Sequence, residues 1–165
     1  MEEYIGSLIG RYRGGGVLVD TNLLLLYFVG AYDTSQLQNP SRTDQFEPED
    51  FVVLDAFMRQ FDQVVTTPHV LAETSNLLGQ LRDHVKAACF PLLRQSISLM
   101  REHRPPAATI GADPGFLQFG ITDAAIAEAS PGAYLVLTDD LPLYGYLGGR
   151  GVDVLNFNNI RLLEY

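Results

Sequence analysis

The sequence predicts a three-layer α/β/α fold in which helices cover both faces of a central parallel sheet. Short apolar runs, too short to be anything but buried strands, alternate with longer segments whose apolar residues recur at helical spacing. This alternation is typical of strand–helix–strand units, in which parallel strands are buried on both faces. The chain of 165 residues is long enough to bury a sizeable core, and we expect one domain over residues 1–165.

The first half of the chain is predicted to contain a leader followed by two strands and their helices. The leader, residues 1–16, is a helix over residues 2–13 that ends at a hinge of three glycines, Gly14 to Gly16. Thr67 and Pro68 have the residue types of a helix cap and a first helical position, so a helix begins there. The elements between are a strand at 17–19, a helix at 23–31, an exposed excursion at 33–50, a helix at 49–61 and a strand at 64–66.

The second half is predicted to add two more strands. A long helical region at 79–104 is interrupted or kinked at Pro91, because proline removes a backbone donor. The elements that follow are a loop at 107–119, a helix at 123–129 stopped by Ser130-Pro131-Gly132, a strand at 134–138, a short helix at 141–147 and a last strand at 152–155.

Composition excludes several classes of protein. The formal net charge of −9 argues against sequence-blind coating of nucleic acid, although bound cations can reverse the sign at a local site. Cys89 is the single cysteine, so an internal disulfide is excluded and a reducing compartment fits. No secretory signal is visible, and no apolar run approaches the ~18 residues of a membrane span. We therefore expect a cytoplasmic protein with no membrane partner.

Acidic residues recur at the carboxyl ends of predicted strands or on the helices that follow them. Asp20 ends the first strand, and Asp139 and Asp140 come just after the third. Glu73 lies on the helix after the second strand, and Asp123 opens another helix, where backbone amides favour an anion. Because right-handed crossovers bring these positions to one edge of the sheet, we expect the acids to share one crevice.

Carboxylates gathered in one crevice repel each other unless a cation lies between them. Mg²⁺ and Mn²⁺ prefer such oxygen ligands and keep several waters for substrate phosphates. A metal held in this way suits phosphodiester hydrolysis, because it activates water and neutralises charge on the phosphate. Taken singly, each acid also has a simpler interpretation as a helix cap, a solvent-facing side chain or a turn residue.

Four short motifs together resemble those of the PIN-domain ribonucleases, and the match extends from residue 17 to the region of residue 157. The opening motif is Val19-Asp20-Thr21-Asn22 followed by leucines, after a short strand. The others are Thr67-Pro68-His69-Val70-Leu71-Ala72-Glu73, Ile121-Thr122-Asp123-Ala124-Ala125-Ile126 and Leu137-Thr138-Asp139-Asp140-Leu141. Each motif is short, but their order and spacing both fit the family.

The resemblance implies an α/β/α fold and a Mg²⁺- or Mn²⁺-dependent endoribonuclease with RNA as its substrate. Carried over by position, the catalytic residues and metal ligands would be Asp20, Glu73, Asp123 and Asp140. Asn22 would orient Asp20, Thr138 would hydrogen-bond near the metal, and Asp139 would occupy the variable position of the fourth motif. Many small members are toxins of bacterial toxin–antitoxin pairs, so the resemblance also implies a homodimer and an antitoxin protein as partner.

The leader at 1–16 and the excursion at 33–50 depart from the compact toxin pattern, which leaves a chromosomal processing nuclease open.

Five of the eleven basic residues lie between positions 82 and 104. This cluster is interpreted either as a solvated helix face or as an RNA-contact surface that includes Arg82, Lys86 and Arg94.

Two other functions fit parts of the sequence. A haloacid-dehalogenase-type phosphatase also begins with an Asp after an apolar strand, but it needs a second acid two residues later, where this chain has Asn22. A PIN-like scaffold or RNA-binding module without catalysis is the other alternative. Metal-dependent cleavage of RNA separates the nuclease from both.

Overall fold

Helices surround a central sheet of five parallel strands. The computed structural model describes residues 2–38, 43–129 and 132–163. The strands are β1 (Val17–Val19), β2 (Val64–Thr66), β3 (Arg101–Glu102), β4 (Leu135–Thr138) and β5 (Val154–Asn156). The predicted three-layer α/β/α fold class is confirmed.

The helices fill the connections between the strands. They are α1 (Glu2–Tyr12), α2 (Thr21–Tyr32), α3 (Pro48–Met58), α4 (Pro68–Gly79), α5 (Asp83–Ile97), α6 (Ala107–Gly111), α7 (Phe116–Ala129), α8 (Leu141–Gly149) and α9 (Phe157–Arg161). Thr67 caps α4 by accepting from the Val70 amide, and Pro68 takes the first helical position, as the sequence predicts. Among the described residues, no helix has the length and apolar character needed to cross a membrane.

β1 lies at the centre of the sheet, whose strand order is β3-β2-β1-β4-β5. From β1 the chain builds outward to β2 and β3, and then returns to place β4 on the other side of β1. The direction of building therefore reverses between β1 and β4. In open α/β sheets, ligand sites lie beyond the carboxyl ends of the strands at such a reversal. Asp20 and Asp139 directly follow these two strands.

The central strands are buried on both faces, as parallel strands between two helical layers must be. Every residue of β1 and β4 is buried. Helix α2 packs against α3, α4 and α5, which explains why its apolar residues lie around the whole helix instead of along one stripe. Cys89 is buried in this core, and burial raises the pKa of its thiol to about 11. Its predicted role as a small buried hydrophobe is confirmed.

The structure differs most from the sequence prediction between residues 79 and 119. Helix α5 continues through Pro91, and Arg101–Glu102 forms an edge strand inside the region predicted as helix. Both residues of this strand are exposed and polar, so the hydrophobic pattern carries no signal for it. Within the predicted loop at 107–119, residues 107–111 form α6 and α7 begins at Phe116.

The segment at 33–50 was predicted to be an exposed excursion, but its described part is anchored on the protein. Leu37 and Phe46 join the main hydrophobic core, and Thr43 and Asp50 are also buried. The polar, turn-rich composition of this segment therefore gives no indication that two of its apolar residues anchor it in the core. Residues 39–42 of this segment, and residues 130–131 of the predicted helix stop, lie outside the described residues.

Close packing, and not the flexibility of a hinge, requires glycine after α1. A Cβ on Gly15 would lie 2.5 Å from the backbone oxygen of Ala133, and a Cβ on Gly16 would lie 2.7 Å from the backbone oxygen of Gln63. Gly16 also has a φ of 102°, which L side chains rarely adopt. The predicted hinge is therefore a tightly packed turn that sets the start of β1.

We expect Gly16→Ala to lower the free energy of unfolding by about 2–4 kcal/mol, because it adds a left-handed strain and a clash with backbone. Gly14→Ala is the matched control, since its Cβ would meet only the Asp62 Oδ2 at 3.9 Å. Urea unfolding followed by circular dichroism measures both variants. Equal stability of the two variants would contradict this account of the turn.

Candidate metal and active site

Asp20 is a buried acid held by two short hydrogen bonds at the end of β1. The Thr138 hydroxyl donates to Oδ2 at 2.6 Å, and the Thr21 amide donates to Oδ1 at 2.6 Å. The residue is only 5% exposed. Burial raises the pKa of Asp20 to about 6; the hydrogen bond from Thr138 opposes this rise, and the charges of Asp139 and Asp140 add to it. The protein therefore stabilises the ionised form only in part.

Asp140 is exposed and begins α8. Its amide donates to Thr138 Oγ1 at 3.0 Å, so the hydroxyl that binds Asp20 also fixes the backbone at Asp140. Its Oδ1 accepts from the Leu143 amide at 2.7 Å, which is a helix N-cap. The simpler interpretation as a cap thus accounts for one carboxylate oxygen. The charge of Asp140 still acts on Asp20 and on Asp123.

Asp139 lies beside this pair and is bound by groups from three other segments. Asn22 Nδ2 lies 3.5 Å from its Oδ1, and Gln45 Nε2 lies 3.2 Å from its Oδ2. Asn158 Nδ2 donates to its backbone oxygen at 3.2 Å. Burial raises the pKa of Asp139, while the hydrogen bond from Asn22 and the charge of Arg161 lower it. Gln45 belongs to the segment at 33–50, which therefore reaches the site.

The contact of Asn22 corrects an expectation. The family resemblance implied that Asn22 orients Asp20, but its amide instead lies against Asp139. In the structure the two carboxylate oxygens of Asp20 accept from Thr138 and Thr21, and the Asn22 side chain reaches the carboxylate that follows β4. Thr138 donates to Asp20 and so orients its carboxylate, while its predicted role beside a metal stays a prediction.

Glu73 and Asp123 lie on α4 and α7, two helices that pack against each other. Gly120 interrupts α7 with φ 81° and ψ −173°, a combination that is essentially restricted to glycine. A new helical turn therefore starts at Ile121 and contains Asp123, close to the helix opening that the sequence predicts at Thr122. Both acids are half-buried.

Electrostatic repulsion connects all four predicted acids. Burial, followed by the charges of Asp20, Asp140 and Glu73, raises the pKa of Asp123 to about 7. Charges act over several ångströms in a poorly solvated region, so these acids affect one another without forming a tight cluster. We refer to Asp20, Glu73, Asp123 and Asp140 as the acidic centre, because the charges of the other three act on Asp123.

Unsatisfied polar atoms lie along the chain beside two members of the acidic centre. Within the described ranges, three buried side-chain atoms have no hydrogen-bond partner: Thr21 Oγ1, His69 Nδ1 and Thr74 Oγ1. Thr21 directly follows Asp20, Thr74 directly follows Glu73, and His69 precedes Glu73 by one helical turn. Such exceptions are rare and are often explained by a bound water or ion. These unsatisfied atoms are therefore neighbours of Asp20 and Glu73 along the chain.

The donor atoms of the acidic centre fit a hard divalent cation. Its side chains offer carboxylate oxygens, which Mg²⁺ and Mn²⁺ prefer. Among the described residues, no three His, Cys, Asp or Glu side chains lie close enough together to form a ready-made ligand cluster. Mg²⁺ commonly binds through one or two carboxylates and keeps several waters. Asp20 and Asp123 would hold such an ion directly or through water, with Glu73 and Asp140 around them.

The predicted RNA-contact residues belong to α5 and to the residue that precedes it. Arg82 directly precedes α5, and Lys86 and Arg94 are exposed on this helix, which comes before the edge strand β3 in the chain. Their contact with RNA stays a prediction. The cation that acts on the site is Arg161 of α9, whose charge lowers the pKa of Asp139. Sequence reasoning missed it because α9 has five residues, too few for a periodic signal.

We expect Asp123→Asn to stabilise the metal-free protein at pH 8 and to leave its stability at pH 4 nearly unchanged. The wild-type carboxyl binds its proton more tightly when folded, so stability falls as the pH rises from about 4 to about 7. One pKa unit equals ~1.4 kcal/mol, and after allowance for solvent access we expect a gain of about 1–3 kcal/mol. Denaturant unfolding in EDTA at both pH values measures it. Asp62→Asn is the control, because Asp62 lies just before β2, at the amino ends of the strands. A loss of stability at pH 8 in Asp123→Asn would contradict the repulsion.

Removal of the Thr138 hydroxyl is expected to raise the pKa of Asp20, because the hydrogen bond at 2.6 Å favours the ionised carboxylate. Thr138→Val keeps the shape and removes the donor, whereas Thr138→Ser keeps the donor. Carboxyl carbon shifts followed by NMR titration report the pKa directly. We expect a rise of about one unit in Thr138→Val and a smaller change in Thr138→Ser. An unchanged pKa in Thr138→Val would show that this hydroxyl does not support the charge.

No protein-family model matches the chain, and no curated protein matches it. The structure is similar to that of a domain of a functionally unknown protein from Methanocaldococcus jannaschii DSM 2661. The TM-score is 0.45 and the sequence identity is 14%, over 86% of this chain and 89% of that chain.

Proposed function

We propose that this chain is a Mg²⁺- or Mn²⁺-dependent endoribonuclease of the PIN type. The observation that carries the proposal is the pKa of Asp123, which burial and the charges of three carboxylates raise to about 7. Together with Asp123, those carboxylates come from four separate segments of the chain, and Asp20 and Asp140 lie beyond the two strands between which the direction of building reverses. A purely structural role explains each acid alone, but it gives no reason for placing them where they repel each other.

The chemistry of phosphodiester hydrolysis is consistent with these residues. When bound, a divalent cation lowers the pKa of an attacking water and neutralises charge on the phosphate. Asp20 offers a carboxylate whose position is fixed by Thr138 and by the Thr21 amide. Asp123 must lose its proton to become a ligand, so the ability of the acidic centre to hold a cation increases as the pH rises through about 7.

RNA as substrate and a cytoplasmic location belong to the same proposal. RNA as substrate follows from the four motifs that resemble the PIN-domain ribonucleases, and the cytoplasmic location from the single cysteine, Cys89, which fits a reducing compartment. The toxin role, with its homodimer and its antitoxin partner, rests on that resemblance alone. Size-exclusion chromatography with light scattering tests the homodimer independently of catalysis.

We expect the wild-type protein to cleave single-stranded RNA in Mn²⁺ or Mg²⁺, and EDTA to abolish the cleavage. Asp20→Asn should reduce the rate at least ~100-fold, because it removes a charge from the metal-binding carboxylates. Asp62→Asn changes an acid at the amino ends of the strands, away from their carboxyl ends, and should retain the wild-type rate. Labelled RNA of mixed sequence, resolved on a denaturing gel, gives the rates of all three proteins.

The same assay separates the rival functions. A phosphatase would release phosphate from small phosphomonoesters and leave RNA intact. A non-catalytic scaffold would cleave neither substrate at any metal concentration. RNA cleavage that persists in Asp20→Asn at the wild-type rate would show that the nuclease acts elsewhere or is a contaminant, and it would overturn the proposal.

A further inference from the structure

Arg161 lies on the same edge of the sheet as the acidic centre. Helix α9 begins directly after the carboxyl end of β5, which is the neighbour of β4. From this helix, Asn158 Nδ2 donates to the backbone oxygen of Asp139 at 3.2 Å. Arg161 follows one turn later. A five-residue helix thus carries a cation to the border of a site made of acids.

The guanidinium of Arg161 is held in place from one side. Its Nη1 donates to Asp50 Oδ2 at 3.0 Å, and the Asp50 side chain is 2% exposed while that of Arg161 is 32% exposed. The same Asp50 oxygen also accepts from the Glu47 amide at the start of α3. Within the described residues this is the one hydrogen bond of a group with five N–H donors. The side chain is therefore oriented, while donors and solvent access remain for a ligand.

A structural tie between α9 and α3 is the simpler interpretation of the ion pair. Two observations go beyond it. The helix of Arg161 also contacts the acidic site, because Asn158 Nδ2 donates to the backbone oxygen of Asp139 at 3.2 Å. Gln45, from the segment that precedes α3, also reaches Asp139, with Nε2 at 3.2 Å from Oδ2. Arg161 and Gln45 therefore place N–H donors on the same border of the site.

We propose that Arg161 binds a backbone phosphate of the nucleic-acid substrate, next to the acidic centre on the side of β5 and α9. The inference rests on the proposed function and adds the direction in which the substrate strand leaves the site. An anionic strand that approaches several carboxylates needs a fixed positive charge beside them. The planar fork of arginine donors suits a phosphate, and a guanidinium already oriented by Asp50 loses less entropy on binding it.

The test measures RNA binding in the Asp20→Asn background with Mg²⁺ present, so that binding is observed without cleavage. Fluorescence anisotropy of a labelled single-stranded RNA gives the dissociation constant over a range of salt concentrations. Arg161→Gln should weaken binding ~10-fold or more, as expected for the loss of a charged hydrogen bond. The slope of log K against log salt should become shallower by about one unit, which corresponds to the loss of one phosphate contact. Arg161→Lys keeps the charge but loses the planar fork of donors, so its RNA affinity should lie between those of the parent and Arg161→Gln.

Asp50→Asn is the control for the structural interpretation. It breaks the same ion pair but leaves the guanidinium in place. If Arg161 only ties α9 to α3, Asp50→Asn and Arg161→Gln should weaken RNA binding equally, and the inference is then overturned. If Arg161 binds phosphate, Asp50→Asn should retain most of the affinity and the full salt slope. Thermal unfolding of each variant confirms that folded proteins are compared.

Failure of this inference is distinguishable from failure of the nuclease proposal. Wild-type cleavage of RNA together with unchanged binding in Arg161→Gln overturns the role of Arg161 alone. Arg161-dependent binding in a wild-type protein that does not cleave RNA supports the phosphate site and overturns the nuclease. Absence of RNA binding in both the Asp20→Asn parent and the variant overturns the role of Arg161, and wild-type cleavage then decides the nuclease proposal separately.

Discussion

The structure depends on one constraint, the burial of the Asp20 carboxylate where β1 ends. Two hydrogen bonds of 2.6 Å hold it, from Thr138 at the end of β4 and from the Thr21 amide that opens α2. The group therefore joins two central strands and a helix start at one point. Burial still raises the pKa of Asp20 to about 6, so these bonds do not replace all the water that the charge has lost. A further positive ligand is the simplest way to complete its surroundings.

The other acids of the site add negative charge around the buried carboxylate instead of neutralising it. Gly120 restarts α7 before Asp123, and the neighbouring helix α4 supplies Glu73, whose charge raises the pKa of Asp123. Stability alone would favour neutral or apolar side chains at such positions. Local conflicts of this kind occur where a fold serves a ligand or a reaction.

The sequence predicted the features that follow from apolar runs and caps. The strands beginning at Val17 and Val64, the Thr67 cap and the position of Asp20 were all legible because each has a local signal. Edge strand β3 and helix α9 were not predicted, since two exposed residues and a five-residue helix carry no hydrophobic period. The partner of Asn22 and the role of Arg161 depend on contacts across more than a hundred residues. Such contacts follow from the packed structure and from no spacing along the chain.

The central claim is that the acidic centre holds a divalent cation in contact with solvent. Anomalous diffraction from a crystal soaked in Mn²⁺ tests it most directly, because the ion and its ligands are located together. The account predicts an anomalous peak between Asp20 and Asp123, with carboxylate oxygens and waters at ~2.0–2.2 Å and coordination positions open to solvent. A fully soaked crystal with no peak there, or with manganese only at scattered surface carboxylates, would contradict it.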